Sequence, residues 1–448
     1  MDRYSQSVEK HRQLIMDALE YIWKNPELGY REWKTHAYLE EGFAKLGYEL
    51  TLAGDIPGFY AEADTGRPGP TVAVFGELDG LVCSNHPDAD PETGAVHACG
   101  HCCQTASLLG LAAALKEPGV LDGLSGKIRL VAVPAEETVE QNFLQQLRQK
   151  GIVRYASGKQ EFMYRGLMDG VDMAMMFHAS TQRPPNHGAL VGGSNGMIGK
   201  QAIFTGVSAH AGGAPHRGVN ALYAANLGLS AINNLRETFP DDAHIRVHPI
   251  ITKGGDAVNA IPDCVTIGAG LRGASMEVLT QTNKKINRAL AASAAAMGAK
   301  VQIRDLSWHW TRNFRGQFSE IALEAMQQEL ENAVYEPWKW LGSCSDIADV
   351  GAVMPTVYPV IGGTSGKGHG SDFRIADPDS ACIKSTKVLL RIIGKLLEND
   401  AQKAKAVIEE YEPAFGSAKE LFAYMDKMTM DCDGVSYEDD GSITLNLE

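Results

Sequence analysis

A chain of 448 residues exceeds one compact core and suits two or three domains. Hydrophobic residues make up 44% and charged residues 21%, near the globular average, and the formal net charge of -14 argues against nucleic-acid or anionic-membrane partners. The amino-terminal run MDRYSQSVEKHRQL is polar and lacks the apolar stretch of a secretory signal. No run approaches 18 consecutive apolar residues, so no membrane span is expected. Eight cysteines in such a chain read as reduced thiols and point to the cytoplasm.

Residues 5 to 46 read as helices. The first places Val8, Leu14, Ile15, Ala18 and Ile22 on one face and ends at Pro26 and Gly29; the second stops at Gly47. Strand-like runs GYELTL, GFYAEAD and TVAVFGELDG follow. A helix over Thr105 to Lys116 leads to strand GKIRLVAVPAEE, a polar helical stretch to Gly166, and strand DMAMMFHAS. Strands alternating with helices predict an α/β sheet with parallel strands. Between Gly199 and Trp308 the pattern becomes βαββαβ, the ferredoxin-like split unit. Such an insert suggests a second domain with its termini close together. The α/β pattern then resumes with FSEIALEAMQQELENA and ends in IKSTKVLLRIIGKLLEND and a helical tail. The boundaries are 1–196 and 310–448 for the first domain and 197–309 for the insert.

Several polar groups follow apolar strands directly. Glu77 and Asp79 end TVAVFGELDG, Glu136 and Glu137 end IRLVAVPAEE, and His178 ends DMAMMFHAS. Cys99 and His101 precede a helix in AVHACGHCCQ, and His369 lies in the glycine-rich GKGHGSDF. Open α/β sheets bind ligands at strand ends, so this recurrence predicts a metal site. Singly, each element has a plainer reading. Cys-x-His lacks the paired spacing of a zinc ribbon, a Glu pair suits a solvated strand end, and a lone histidine suits a turn. The adjacent Cys102 and Cys103 are poorly placed to pair with each other.

The motifs HACGH, VPAEE, MFHAS, GVSAHAGGAPHRGVNAL, VNAIPD and GHGSDF occur in the order seen in the dinuclear-metal aminoacylase and carboxypeptidase superfamily. The chain most resembles its amidohydrolase branch, which includes hydrolases of auxin conjugates and of p-aminobenzoyl-glutamate. The likeness runs from about Tyr21 to Leu396. It implies a zinc-peptidase-like α/β catalytic domain with a mixed, mostly parallel sheet and an inserted ferredoxin-like α+β dimerisation domain. It implies two divalent ions, zinc or manganese, held by Cys99 (as a thiolate bridge), His101, Glu137, His178 and His369. Glu136 would be the general base, with Asp79 supporting the site. In the insert, His210 would reach the partner subunit's site of a homodimer and stabilise an oxyanion. Asn259, Arg272 and His216 would contact a small-molecule amide substrate, and Arg272 could fork onto a carboxylate.

The chain departs from the branch in three places. Glu77 stands where the motif usually has an aspartate. Cys102 and Gln104 stand where HACGH is usually followed by an aspartate and a histidine, which leaves open whether one or two ions bind. The stretch from Ser84 to Gly94 is a longer loop, either near the site or simply on the surface. Asp346 and Asp349 either orient a ligand histidine or cap a helix. The activity implied is hydrolysis of an amide between an acyl or aroyl group and an amino acid. A dipeptidase or aromatic-amine deaminase on the same scaffold, a binding protein with a decayed site, and a thiol redox enzyme centred on Cys102 and Cys103 are the alternatives.

Overall fold

The apolar run Thr71–Glu77 is buried at all seven positions, and the first part of the fold assembles around it. The computed structural model describes residues 2–313 and 316–447. They divide into two compact units: unit 1, Met1–Gly193 with Asn313–Trp340 and Asp349–Lys419, and unit 2, Ser194–Arg312 with Leu341–Ala348 and Glu420–Glu448.

Unit 1 begins with α1 (Arg3–Lys10), α2 (Arg12–Lys24) and α3 (Trp33–Lys45). The first expected helix is thus two, separated at His11, whose backbone leaves the helical region. Strands β1 (Leu50–Leu52), β2 (Phe59–Asp64) and β3 (Thr71–Glu77) follow, then α4 (His101–Leu115), β4 (Lys127–Val133), α5 (Gln141–Gln149) and α6 (Gly158–Tyr164). Next come β5 (Met173–Met175), β6 (His178–Ser180) and β7 (His187–Ser194). Every residue of α4 is buried, as suits a helix that is apolar all round. It starts at His101, four residues before the position expected from sequence.

Unit 2 is the βαββαβ insert. It comprises β8 (Gly196–Thr205), α7 (Ala221–Asn234), β9 (Arg246–Lys253), β10 (Cys264–Gly273), α8 (Met276–Ala296) and β11 (Lys300–His309). The strands lie in the order β9-β10-β8-β11 and pair antiparallel throughout, the ferredoxin-like arrangement. Helices α7 and α8 pack on this sheet.

The chain returns to unit 1 through α9 (Gln317–Glu329), β12 (Thr356–Val357), β13 (Val360–Gly362) and α10 (Ser385–Glu410). Helix α10 is broken over Glu398–Ala401, where the apolar run GKLLEND ends. After α11 (Ala418–Met428), the segment β14 (Asp431–Asp433) pairs antiparallel with β11. The chain therefore ends within unit 2, whereas the sequence groups 310–448 with the first domain. The pairing supplies hydrogen bonds that the outer edge of β11 would otherwise lack.

The main sheet of unit 1 runs β1-β2-β4-β3-β5-β12. Pairings β4–β3, β3–β5 and β5–β12 are parallel, while β1–β2 and β2–β4 are antiparallel. This is the mixed, mostly parallel sheet expected from sequence. In a second sheet β13 lies between β6, parallel, and β7, antiparallel. Because β3, β4 and β5 run in parallel, the residues after each emerge along one edge.

Candidate metal centre

At that edge, β3 delivers Glu77 and Asp79, and β4 delivers Glu136 and Glu137. His178 opens β6, three residues beyond β5. Two donor sets form there, Cys99–His101–His178 and Cys99–Glu137–His369, with the donor atoms of each set lying within 4.8 Å of one another. Cys99 belongs to both. Glu77, His101 and Glu136 form a third set. The five sequence-predicted ligands are therefore brought together, and Glu136 lies beside them.

Local backbone geometry aims these groups. Gly100 caps α4 with φ 95, a left-handed conformation open to glycine, and so turns His101 into the helix start. A Cβ at Gly100 would also meet the Ala179 side chain at 3.3 Å. Ala135 has φ 53 and presents Glu136 and Glu137 from a left-handed turn. Buried Glu32 holds that turn by accepting the Ala135 N–H at 2.8 Å. Gly29 leaves room for it, since a Cβ there would press on Ala135 at 3.1 Å. His369 has φ 62, and its N–H donates to the Ala98 carbonyl at 2.9 Å.

Asp79 is wholly buried and organises two donors at once. His101 Nδ1 lies 3.0 Å from its carbonyl and 3.1 Å from Oδ1, and the Glu137 N–H donates to Oδ2 at 2.8 Å. With Nδ1 facing two acceptors, His101 turns Nε2 to the site. That nitrogen lies 3.1 Å from Glu77 Oε2 and 3.8 Å from Glu136 Oε2. His178 Nε2 is 3.3 Å from Cys99 Sγ, and His369 Nε2 is 3.2 Å from Glu137 Oε1.

Burial and charge compete strongly here. Burial raises the Glu77 carboxyl, but Lys159 and His101 outweigh it and hold the pKa down at about 2. Burial likewise raises Glu137, and His369 brings it below the usual range. Burial and the charge of His101 push His178 down to about 4, so it offers a neutral ring. Burial and the same neighbour push His97 down to about 3. Burial and the Glu137 charge raise the Cys99 thiol, which only a strong local cation would turn into a thiolate. Burial and Asp79 push Glu32 well above the carboxylate range.

The donors fit divalent ions. His101 Nε2 and Glu137 Oε1 are buried, and the atoms facing them, Glu77 Oε2 and His369 Nε2, are themselves ligand types, an arrangement that a metal ion satisfies. Sulfur, imidazole and carboxylate donors together suit zinc and manganese.

Two contributors escaped the sequence reading, Glu32 and Lys159, while Gln104, a departure from the family motif, bonds to Glu77. Lys159 on α6 is fully buried, and its Nζ donates to Glu77 Oε1 at 2.5 Å. The Ser84–Gly94 loop is tied to the His369 loop. Asp88 N–H donates to His86 Nδ1 at 3.1 Å, and His86 Nε2 lies 2.9 Å from both the Phe373 carbonyl and Arg374 Nη1, which itself donates to that carbonyl at 2.6 Å. His86 is buried and packs edge-on to Trp23, which stacks on Phe373. Asp349 accepts from the Gln160 side chain at 2.9 Å.

The other predicted residues lie in unit 2. His210 is exposed, and its Nδ1 accepts from the N–H groups of Gly212 and Gly213 at 3.2 and 2.9 Å. Asn259 is its neighbour through the Ala211 N–H, which donates to the Asn259 carbonyl at 2.9 Å. His216 is exposed in a short helical turn, Pro215–Arg217. Arg272 is half-buried on β10, opposite Met197 and Arg246.

Two candidate donor sets thus share a cysteine at a strand-end crevice, on a chain with a separate antiparallel α+β unit. Residues 192–297 match the M20 peptidase dimerisation domain. The chain is 29% identical over 349 residues to indole-3-acetyl-aspartic acid hydrolase from Enterobacter agglomerans, covering 65% of this chain and 74% of that protein. It is 31% identical over 264 residues to a p-aminobenzoyl-glutamate hydrolase polypeptide from Escherichia coli, covering 56% and 55%. It is 28% identical over 300 residues to N-acetyl-L-cysteine deacetylase from Bacillus subtilis, covering 64% and 65%. The chain thus spans less than two thirds of the length of the latter two. A dinuclear metal-binding M20 peptidase from Bacillus subtilis superposes with TM-score 0.64 at 19% identity, covering 87% of this chain and 99% of that one. At that identity the likeness is one of fold. The chain is thus similar to hydrolases of acyl- and aroyl-amino acid conjugates, and residues 192–297 match an M20 dimerisation domain, in line with the resemblance that its motifs carry.

Proposed function

We propose that the protein hydrolyses the amide bond joining an acyl or aroyl group to an amino acid, using two divalent ions, zinc or manganese. The observation that carries this reading is the pair of donor sets sharing Cys99, with Glu136 beside them 3.8 Å from His101 Nε2. All three named relatives act on such conjugates. When bound, the ions acidify a water and polarise the substrate carbonyl. Glu136 takes the proton from that water and returns it to the leaving nitrogen. Glu32 and Ala135 fix the turn that presents Glu136, while Asp79 orients His101 and Glu137 together.

In this reading residues 197–309 form the dimerisation domain of a homodimer. His210 stabilises the oxyanion in the partner subunit's site, and Arg272, Asn259 and His216 bind substrate, Arg272 through a carboxylate. No helix among the described residues is long and apolar enough to cross a membrane. The eight cysteines form no disulfide with one another, which supports a reducing, cytoplasmic setting.

The test couples metal analysis to a hydrolysis screen of N-acyl-amino acids, N-aroyl-amino acids, dipeptides and aromatic amines. Glu136→Gln should retain its metal and lose at least about 100-fold in turnover. Near-normal turnover in that variant would remove the base. Mixing it with His210→Ala should restore part of the activity through hybrid dimers, and no recovery would confine each site to one chain.

A further inference from the structure

Glu77 is the least expected member of the centre, and nearly every polar atom of it is engaged. Lys159 Nζ donates to Oε1 at 2.5 Å. Gln104 Nε2 donates to Oε2 at 2.9 Å, and Gln104 Oε1 accepts the Glu77 N–H at 3.4 Å. The Thr105 hydroxyl donates to the Glu77 carbonyl. Glu77 and Lys159 are both completely buried and Gln104 nearly so.

The clamp leaves Glu77 Oε2 facing His101 Nε2 at 3.1 Å. His101 Nδ1 faces the two Asp79 oxygens, so Nε2 is the ring nitrogen turned toward Glu77 and the rest of the site. At this distance a proton or a metal ion lies between the carboxylate oxygen and the ring nitrogen, and either bridges them favourably. Their spacing suits a shared ion. With bonds of about 2.0–2.1 Å, two donors lie about 3.3 Å apart in a tetrahedral site and about 2.9 Å apart in an octahedral one. Glu77, His101 and Glu136 also offer one donor atom each within 4.8 Å of one another, and His101 belongs to the set with Cys99 and His178 as well.

Resting on the dinuclear reading above, we propose that Glu77 is a further donor to the ion held by Cys99, His101 and His178, and that Lys159 and Gln104 are the positioning residues that present it. Lys159 occupies Oε1, so Glu77 binds through one oxygen only. The ammonium also balances the carboxylate, so the extra donor adds oxygen without adding net negative charge. Gln104 sets the direction of Oε2. The buried Lys159–Glu77 pair thereby has a task at the metal centre, beyond filling space under β3.

The test uses the full-length protein, equilibrated with buffered zinc or manganese and read by metal content and dissociation constants. Removing one charge alone would strand the other, so the main variant is Glu77→Gln with Lys159→Met, which removes both at similar volume. The expected result is two ions per wild-type chain, and in the double variant a loss of at least about 100-fold in affinity at one position with the other unchanged. Both ions held at wild-type affinity would reduce Glu77–Lys159 to a structural pair. Gln104→Leu leaves the ion pair intact and serves if the double variant does not fold. It should weaken the same position by about tenfold, and unchanged binding would again overturn the proposal. A wild-type chain that binds no metal would instead sink the hydrolase reading itself, which separates the two failures.

Discussion

The two donor sets share Cys99 but are built differently. His101 is 1% exposed and is held between Asp79 and Glu77, with Gln104 and Lys159 behind them. His369 is 56% exposed, in a left-handed conformation on a glycine-rich loop; its N–H donates to the Ala98 carbonyl and its ring meets Glu137 Oε1. One set lies in the core; the other draws one of its three donors, His369, from surface chain. A buried, hydrogen-bonded set keeps its geometry without an ion, because its supports also hold the sheet and α4 together. A loop-borne set depends on whatever ties the loop down. Burial of a ligand therefore couples metal binding to folding, and exposure couples it to loop order.

Alanine at each histidine is the strongest way to break that contrast. Both variants should lose catalysis, since each removes a ligand. Their stabilities should differ sharply. His101→Ala strands the Asp79 and Glu77 oxygens in a dry site and should cost about 3 kcal/mol, lowering the thermal midpoint of metal-free protein by several degrees. His369→Ala removes a half-exposed ring and should shift that midpoint by about a degree. Equal losses in calorimetry would show that the two sets are not differently built.

A smaller effect is expected at His86, which ties the Ser84–Gly94 loop to the Phe373 carbonyl, four residues beyond His369. His86→Ala should weaken metal binding at the His369 position by up to about tenfold and leave the His101 position alone. Titration calorimetry with zinc resolves the two. A uniform loss at both positions would mean that the loop supports the whole site.

Much of this contrast is legible along the chain, and the exceptions have physical causes. The strand-end placement of Asp79, Glu136 and His178 follows from apolar runs that stop at a polar residue, because a buried parallel strand must be apolar until it reaches the crevice. The βαββαβ order is equally plain from its alternating periodicities. Lys159 is not, because GKQEFMYRG has the charge content of a solvated helix. Only packing under β3 shows the ammonium to be enclosed, with a partner 82 residues away in sequence. Glu32 hides in the same way, at the start of an amphipathic helix, with its target turn 103 residues away. The three residues of β14 escape because DCD is too short and polar to read as a strand.

The smallest predicted effect concerns pH and a histidine outside both sets, which supplies a baseline for reading pH effects at the metal centre. His36 Nδ1 accepts the Gly58 N–H at 2.8 Å, so the folded state uses its neutral ring. Burial pushes its pKa below the usual 6.5, and Glu40 only partly opposes this. Above pH 6.5 the ring is neutral in folded and unfolded chains, and its contribution to stability is complete. As pH falls below 6.5 the unfolded chain takes up a proton that the folded ring refuses, so stability is lost until the folded ring also titrates. His36→Gln removes this step. The midpoint of wild-type protein, measured against the variant with metal removed from both, should fall by up to about 2 °C between about pH 7 and pH 5. A flat difference would mean that the Gly58 contact survives protonation of His36.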